Sequence, residues 1–277
     1  MEAKHMAFDL NAYFARIGYR GERTPTAEAL RAIHLAHATH IPFENIDVLR
    51  GLPIRLDLES LQQKLVTDRR GGYCFEQNML LAAALEAIGF RLKRLLARVR
   101  FRSQHMLPLT HMALDVEADG RRWLCDVGFG GHGLLEPIPF QEGNATQGIW
   151  DYHLKQADAR WWVLQAPLAE GLIDLYTLTR ELYELIDFEP PNYYVWNYPT
   201  SIFRQHLIAQ RPGLNERHIL VGRDYTVINA AGATSKVIES DSELLELLAE
   251  RFGLHVEAGE WLAAGNVATG SQTGESR

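Results

Sequence analysis

Cysteine is scarce in this chain: Cys74 and Cys125 are the only two among 277 residues. Two thiols cannot make a four-ligand zinc cluster by themselves or a disulfide framework, so each is judged alone, as a free thiol in a reducing compartment. Long apolar runs are also missing. No stretch approaches the roughly 18 uninterrupted apolar residues of a membrane span, and no apolar signal segment stands at the N-terminus, so a cytoplasmic protein is expected. Positive charge is short: 28 Lys and Arg stand against 35 Asp and Glu, a net charge of -7, with no basic run long enough to track a phosphate backbone. Nucleic acid and membranes are not expected partners, and no internal repeat is evident. What is there, 47% hydrophobic and 23% charged residues, is an ordinary globular composition with material for two or three domains.

The opening MEAKHM, residues 1–6, reads as a short leader without structural weight. The first third is then helical in pattern. FDLNAYFARIGY has apolar residues at helical spacing behind a possible Asp9 cap, and Thr24-Pro25 predicts a second helix with proline at its first position, carrying Leu30, Ile33 and His37. Asp57 caps LESLQQKLV. Gly71-Gly72 breaks the chain before CFEQNMLLAAALEAIGF, whose Gly89 suits a helix C-terminus.

From residue 91 the period changes to that of strands. RLLARVRF, HMALDVEADGRRWLCDVGF and RWWVLQ read as antiparallel β structure with a turn at Ala118-Asp119-Gly120. After the proline- and aromatic-rich PPNYYVWNYP come further strand-like runs and a helix, SELLELLAERFG, with Ser242 as its cap. The last twelve residues, NVATGSQTGESR, have almost nothing to bury and are expected to be disordered. The expected organisation is α+β: a helical bundle over 1–90, a β-barrel-like domain over 91–200 and an α/β lid over 201–277.

Cys74 is thereby expected at a helix N-terminus. Unpaired N–H groups there carry partial positive charge, which stabilises a thiolate and lowers a thiol pKa from about 8.5. The glycines before it let the backbone approach a ligand, and the same N–H groups suit a developing oxyanion. The competing interpretation is a small buried packing residue. A nucleophile needs a base, and the base an orienting carboxylate. Strand alternation in THMALDV puts His111 with Ala113 and Asp115, opposite Met112, Leu114 and Val116; in RRWLCDVGF it separates Asp126 from Trp123, Cys125 and Val127. Pairing of these strands through the turn would set His111 beside Asp126, an aspartate in an apolar run that needs a partner. His105 competes as a base, but it sits in an irregular proline-containing stretch with no adjacent carboxylate. Cys125 faces away from Asp126 and reads as packing.

These residues carry a resemblance. RGGYCFEQN, IPFENIDV, THMALDV and DVGFGG are similar, in order and spacing, to the signature segments of the arylamine N-acetyltransferase family, over residues 8 to about 265. The resemblance implies a helical bundle, a β-barrel-like middle and an α/β lid around a triad related to that of cysteine proteases and transglutaminases. It implies acetyl-CoA as co-substrate, no metal, and transfer to arylamines or hydrazines through an acetyl-cysteine by a ping-pong route. Carried over, the catalytic residues are Cys74, His111 and Asp126. Phe43 and Phe129 would line the pocket; Thr110, Gly130, Gly131, Ser201 and Phe203 would lie near the coenzyme A arm. Arg70 and Glu44 would form an ion pair beneath the nucleophile. NYPTSIF departs from the histidine-containing form of its segment. The remaining alternatives are an amide synthase of the same family, a transglutaminase-like cysteine hydrolase, and a catalytically silent small-molecule binder.

Overall fold

The computed structural model describes residues 8–103, 105–259 and 261–264. The expected leader and the expected disordered C-terminal stretch lie outside them.

Thirteen strands among the described residues form two antiparallel sheets. In chain order they are β1 (Phe43–Glu44), β2 (Arg91–Val99), β3 (His111–Ala118), β4 (Arg121–Cys125), β5 (Ile138–Pro139), β6 (Gly143–Gln147), β7 (Trp150–Gln156), β8 (Trp162–Leu168), β9 (Gly171–Leu178), β10 (Ile208–Arg211), β11 (Glu216–Val221), β12 (Asp224–Asn229) and β13 (Gly232–Val237). The larger sheet, ordered β5-β4-β3-β2-β9-β8-β7-β6, curls into a near-closed barrel. The smaller is ordered β1-β10-β11-β12-β13, so its first strand comes from the N-terminal part of the chain.

The amphipathic helices expected before residue 90 are present. Asp9 caps Leu10–Ile17 by accepting from Ala12 N, and Asp57 caps Leu58–Leu61, which continues as a wider π-helical turn, Gln62–Thr67. Two expected caps are corrected. Thr26, not the Thr24-Pro25 pair, caps Ala27–His40, because its hydroxyl accepts from Ala29 N; Pro25 stands just outside, where its missing N–H costs nothing. Ser240, not Ser242, caps Asp241–Leu247 by accepting from Glu243 N. PPNYYVWNYP is largely helical, Glu189–Asn197, with its prolines in the first turn.

Strand alternation sorts β3 between two cores. Met112, Leu114 and Val116 pack with the helices around Leu80 and Leu85, while Ala113 faces the barrel interior with Leu95, Leu124 and Leu164. Asp119 (φ 51°) and Gly120 (φ 70°) both take the left-handed conformation of a two-residue hairpin turn, which fixes the register Ala118↔Arg121 through Leu114↔Cys125. Among the described residues no helix is long and apolar enough to cross a membrane.

Candidate active site

Cys74 is the first residue of the Cys74–Ile88 helix and is 5% exposed. Two glycines let the chain pack this closely. A Cβ on Gly71 would collide with the Pro42 carbonyl, and one on Gly128 would lie 2.6 Å from Cys74 Cα. The segment before the helix is held by charge. The Arg70 guanidinium donates to Glu44 Oε1 at 3.0 and 2.7 Å and to Asp47 Oδ1 at 3.1 Å; Lys64 Nζ joins Asp47 at 2.8 Å to Glu76 at 2.7 Å, and Glu76 Oε2 accepts from Tyr73 N at 3.0 Å. Every carboxylate in this network meets a cation, which compensates its removal from water.

The hairpin register brings His111, at the start of β3, diagonally to Asp126, just past the end of β4. His111 Nε2 lies 2.7 Å from Asp126 Oδ2, and the Cys74 thiol is a side-chain partner of the same imidazole, while its sulfur is 3.7 Å from Thr110 O. Nε2 being taken, Nδ1 is the ring nitrogen left for sulfur. Burial opposes charge on this ring, yet Asp126 and Cys74 outweigh it and raise the His111 pKa from 6.5 to about 10. Burial likewise disfavours ionised Asp126. His111, Asn78 and the Gly128 N–H reverse that and hold the carboxylate below its ordinary range.

Asn78, fully buried one turn along from Cys74, ties these pieces together. Its Nδ2 donates to Met112 O at 2.8 Å and Asp126 Oδ1 at 3.0 Å, and its Oδ1 accepts from Val127 N at 3.1 Å. His34 Nε2 accepts from Asp126 N at 3.0 Å, so Nδ1 carries the proton donated to Leu135 O at 2.8 Å; burial lowers its pKa to about 4 and keeps it neutral. A second neutral chain runs behind the glycines. The Tyr13 hydroxyl meets His37 Nδ1 at 2.9 Å, His37 Nε2 meets Gln77 Oε1 at 2.8 Å, and Gln77 Nε2 donates to Pro42 O at 2.9 Å and Gly72 O at 3.2 Å.

Phe129 sets its ring edge-on to His111 at 5.4 Å, and Tyr176 packs beside it, 4.9 Å from His111 and 5.4 Å from Phe129. Phe43 bridges Gly72 and contacts Phe203, which also meets Tyr73. Gly130 and Gly131 lie against Gln210, whose Oε1 accepts from Gly131 N at 2.7 Å. Thr110 supplies its carbonyl to the thiol while its hydroxyl donates to Pro108 O. Ser201 stands apart: at the start of the Ile202–Gln205 helix, its hydroxyl donates back to Val195 O in the preceding Glu189–Asn197 helix. A cavity of about 600 Å³ opens between one end of the barrel and the C-terminal sheet, lined by Phe101, His132, Trp150, Gln210 and Ile219 among others. Cys125 is fully buried and distant in role, its nearest polar contact being Trp123 O at 4.0 Å.

Sequence reasoning missed Asn78, His34, Gln77, Tyr176 and Gln210. Glu76-Gln77-Asn78 did carry a signal, since three consecutive polar residues stand in a largely apolar helix and all three are buried.

A thiol at a helix start, held against the imidazole and carboxylate of an antiparallel barrel, is an arrangement suited to acyl transfer through cysteine. A family model described as N-acetyltransferase matches residues 26–261. The arylamine N-acetyltransferase of Mycobacterium tuberculosis is 37% identical over 258 residues, 91% of each chain, and the arylamine N-acetyltransferase / N-hydroxyarylamine O-acetyltransferase of Salmonella typhimurium is 37% identical over 256, 89% of each. The solved structure of Mycobacterium marinum arylamine N-acetyltransferase in complex with CoA superposes with a TM-score of 0.88 at 32% identity, covering 93% of this chain and 98% of that one. The chain belongs to the arylamine N-acetyltransferase family.

Proposed function

We propose that this protein transfers the acetyl group of acetyl-CoA to the nitrogen of arylamines and arylhydrazines through an acetyl-Cys74 intermediate. The carrying observation is the imidazole of His111, set between the Asp126 carboxylate at 2.7 Å and the Cys74 thiol. The family supports the donor and acceptor classes: its relatives are named for arylamine N-acetylation, and a solved member is a complex with CoA.

In the first half-reaction the Cys74 thiolate, paired with imidazolium, attacks the thioester carbon. The tetrahedral adduct collapses, the C–S bond to coenzyme A breaks, and His111 returns a proton to the departing thiolate. In the second, the amine nitrogen attacks acetyl-Cys74; His111 takes the nitrogen's proton, and the Cys74 sulfur leaves as thiolate. Asp126 fixes the imidazole orientation and balances its positive charge through both steps. Phe129 and Tyr176 pack side by side against the ring, which limits the access of water that would otherwise hydrolyse the acetyl-enzyme. Phe43, Thr110, Gly130 and Gly131 form the substrate-facing wall in this assignment, and the Arg70–Glu44 pair beneath them keeps the nucleophile's loop in place. Ser201 and Phe203 belong to its outer edge. A reducing, cytoplasmic setting suits the two free thiols.

Incubation of the purified protein with acetyl-CoA alone should give a single acetyl adduct by intact mass, located on Cys74 by peptide mapping and discharged by an arylamine. Double-reciprocal plots against acetyl-CoA at several amine concentrations should be parallel. A ternary-complex pattern of intersecting lines, with no adduct, would replace the covalent route.

A further inference from the structure

Gln210 reaches the site from the C-terminal sheet. In the β1–β10 pair it lies opposite Phe43, and Phe43 bridges Gly72, two residues before Cys74. Its Oε1 accepts from Gly131 N at 2.7 Å. Only the oxygen of a carboxamide can meet an N–H, so this bond fixes which way the amide faces. The NH₂ end then has no hydrogen-bond partner among the described residues, and Gln210 forms part of the wall of the 600 Å³ cavity.

The other polar groups of that cavity narrow what this donor meets. Arg102 is tied to Glu170 at 2.7 Å, His132 is kept neutral by burial and by the neighbouring Arg217, and Asp224 adds negative charge. With its one wall cation already paired, the cavity suits a neutral oxygen better than a phosphoryl group. Phe101, Trp150 and Ile219 offer apolar surface for methylene groups. We infer that Gln210 is a specificity-determining residue for the acyl donor, its NH₂ donating to an amide carbonyl oxygen of the donor's arm. The inference rests on the acetyl-CoA reading, whose donor carries two such amides between the thioester and the phosphates.

The test compares two acetyl donors on the wild type and on Gln210→Glu: acetyl-CoA, and p-nitrophenyl acetate, an activated ester with no amide arm. Glutamate retains an oxygen for Gly131 N–H and removes the NH₂. Acetylation of Cys74, followed by rapid quench and intact mass, should lose about tenfold more in kcat/KM with acetyl-CoA than with p-nitrophenyl acetate, the value of one hydrogen bond, with a raised KM for acetyl-CoA. Gln210→Met, which removes both ends of the amide, should show the same bias between donors on top of a loss common to both. Equal losses with the two donors would make Gln210 only a support for the glycine loop and overturn the inference, as would no loss with either. A wild-type enzyme acetylated by p-nitrophenyl acetate but not by acetyl-CoA would instead overturn the functional reading.

Discussion

Cys74 and Cys125 sit in the same apolar core at 5% and 0% exposure, and their surroundings could hardly differ more. Around Cys74 the chain gathers a helix N-terminus, an imidazole that Asp126 keeps protonated, and a glycine loop packed against Gln210. Around Cys125 it gathers apolar side chains. Burial, together with the negative charges of Asp115 and Asp126, pushes that thiol's pKa well above the ordinary value. Asp126 therefore presents itself differently to the two cysteines. Toward Cys74 its charge is relayed through His111 as a positive group; toward Cys125 it arrives directly as a negative one. On the proposed reading reactivity follows from which charge faces the sulfur, since exposure separates the two thiols by only a few percent.

The largest effect should come from removing the sulfur on the reactive side. Cys74→Ala is expected to lower kcat by about 10⁴-fold or more, since both half-reactions pass through that atom. The melting temperature should stay close to wild type, because alanine suits a helix start. Measurable acetyl transfer within about tenfold of wild type would remove the distinction between the two cysteines.

Asp126→Asn attacks the relay. The amide keeps the shape but no longer balances imidazolium, and it offers His111 Nε2 either end of a neutral group. Single-turnover acetylation should fall by roughly 10³- to 10⁴-fold. Gly128→Ala tests positioning without changing any charge. Its Cβ would press on Cys74 Cα and on Asn78 Nδ2, and a displacement of about 1 Å at the nucleophile should cost on the order of 10²-fold in kcat. Near-normal turnover in that variant would mean the loop shifts freely.

Much of this arrangement is legible in the sequence. The helix start at Cys74 followed from Gly71-Gly72 and the apolar run behind it, and the meeting of His111 with Asp126 followed from alternation plus an Asp-Gly turn, both local rules. The supporting residues were not legible, because their partners are distant in sequence. His34 meets Asp126 across 92 residues, and Gln210 meets Gly131 across 79. Nothing in HLAHATH distinguishes a histidine that accepts from a backbone N–H in another element from one facing water. The displaced caps had a different origin. Thr24 and Thr26, and likewise Ser240 and Ser242, are equivalent by residue type, and only the backbone angles separate them.

Acid should reveal the neutral supports separately from the charged centre. The folded pKa of His34 is about 4 against 6.5 unfolded, so the unfolded chain binds the extra proton between those values. The contribution is complete above pH 6.5 and disappears as pH falls toward 4, amounting to about 3 kcal/mol if the whole shift is realised. Asp126, held below its ordinary value, contributes above pH 3.8 and is lost only below that. Wild-type melting temperature should therefore decline between pH 6.5 and 4, and His34→Gln should make that limb shallower while lowering stability at pH 8, the remaining slope belonging to His37 and His132, which burial also keeps neutral. An identical slope in the two proteins would assign the acid sensitivity elsewhere.

The smallest effect is expected at the other cysteine. Cys125→Ala removes a sulfur packed with Trp123 and Val127 in the shared core, so it should lower stability by about 1–2 kcal/mol through the space left behind. Turnover should remain within about twofold, because no charge and no hydrogen bond of the Cys74 centre passes through this side chain. Iodoacetamide provides a second reading of the same contrast. The native protein should take one alkyl group, on Cys74, and the protein unfolded in guanidinium two; the Cys125→Ala variant should take one in both states. Two groups added at comparable rates to the native chain would mean that Cys125 reaches solvent as a thiolate, and the opposition between the two regions would have to be drawn from something other than the charge facing each sulfur.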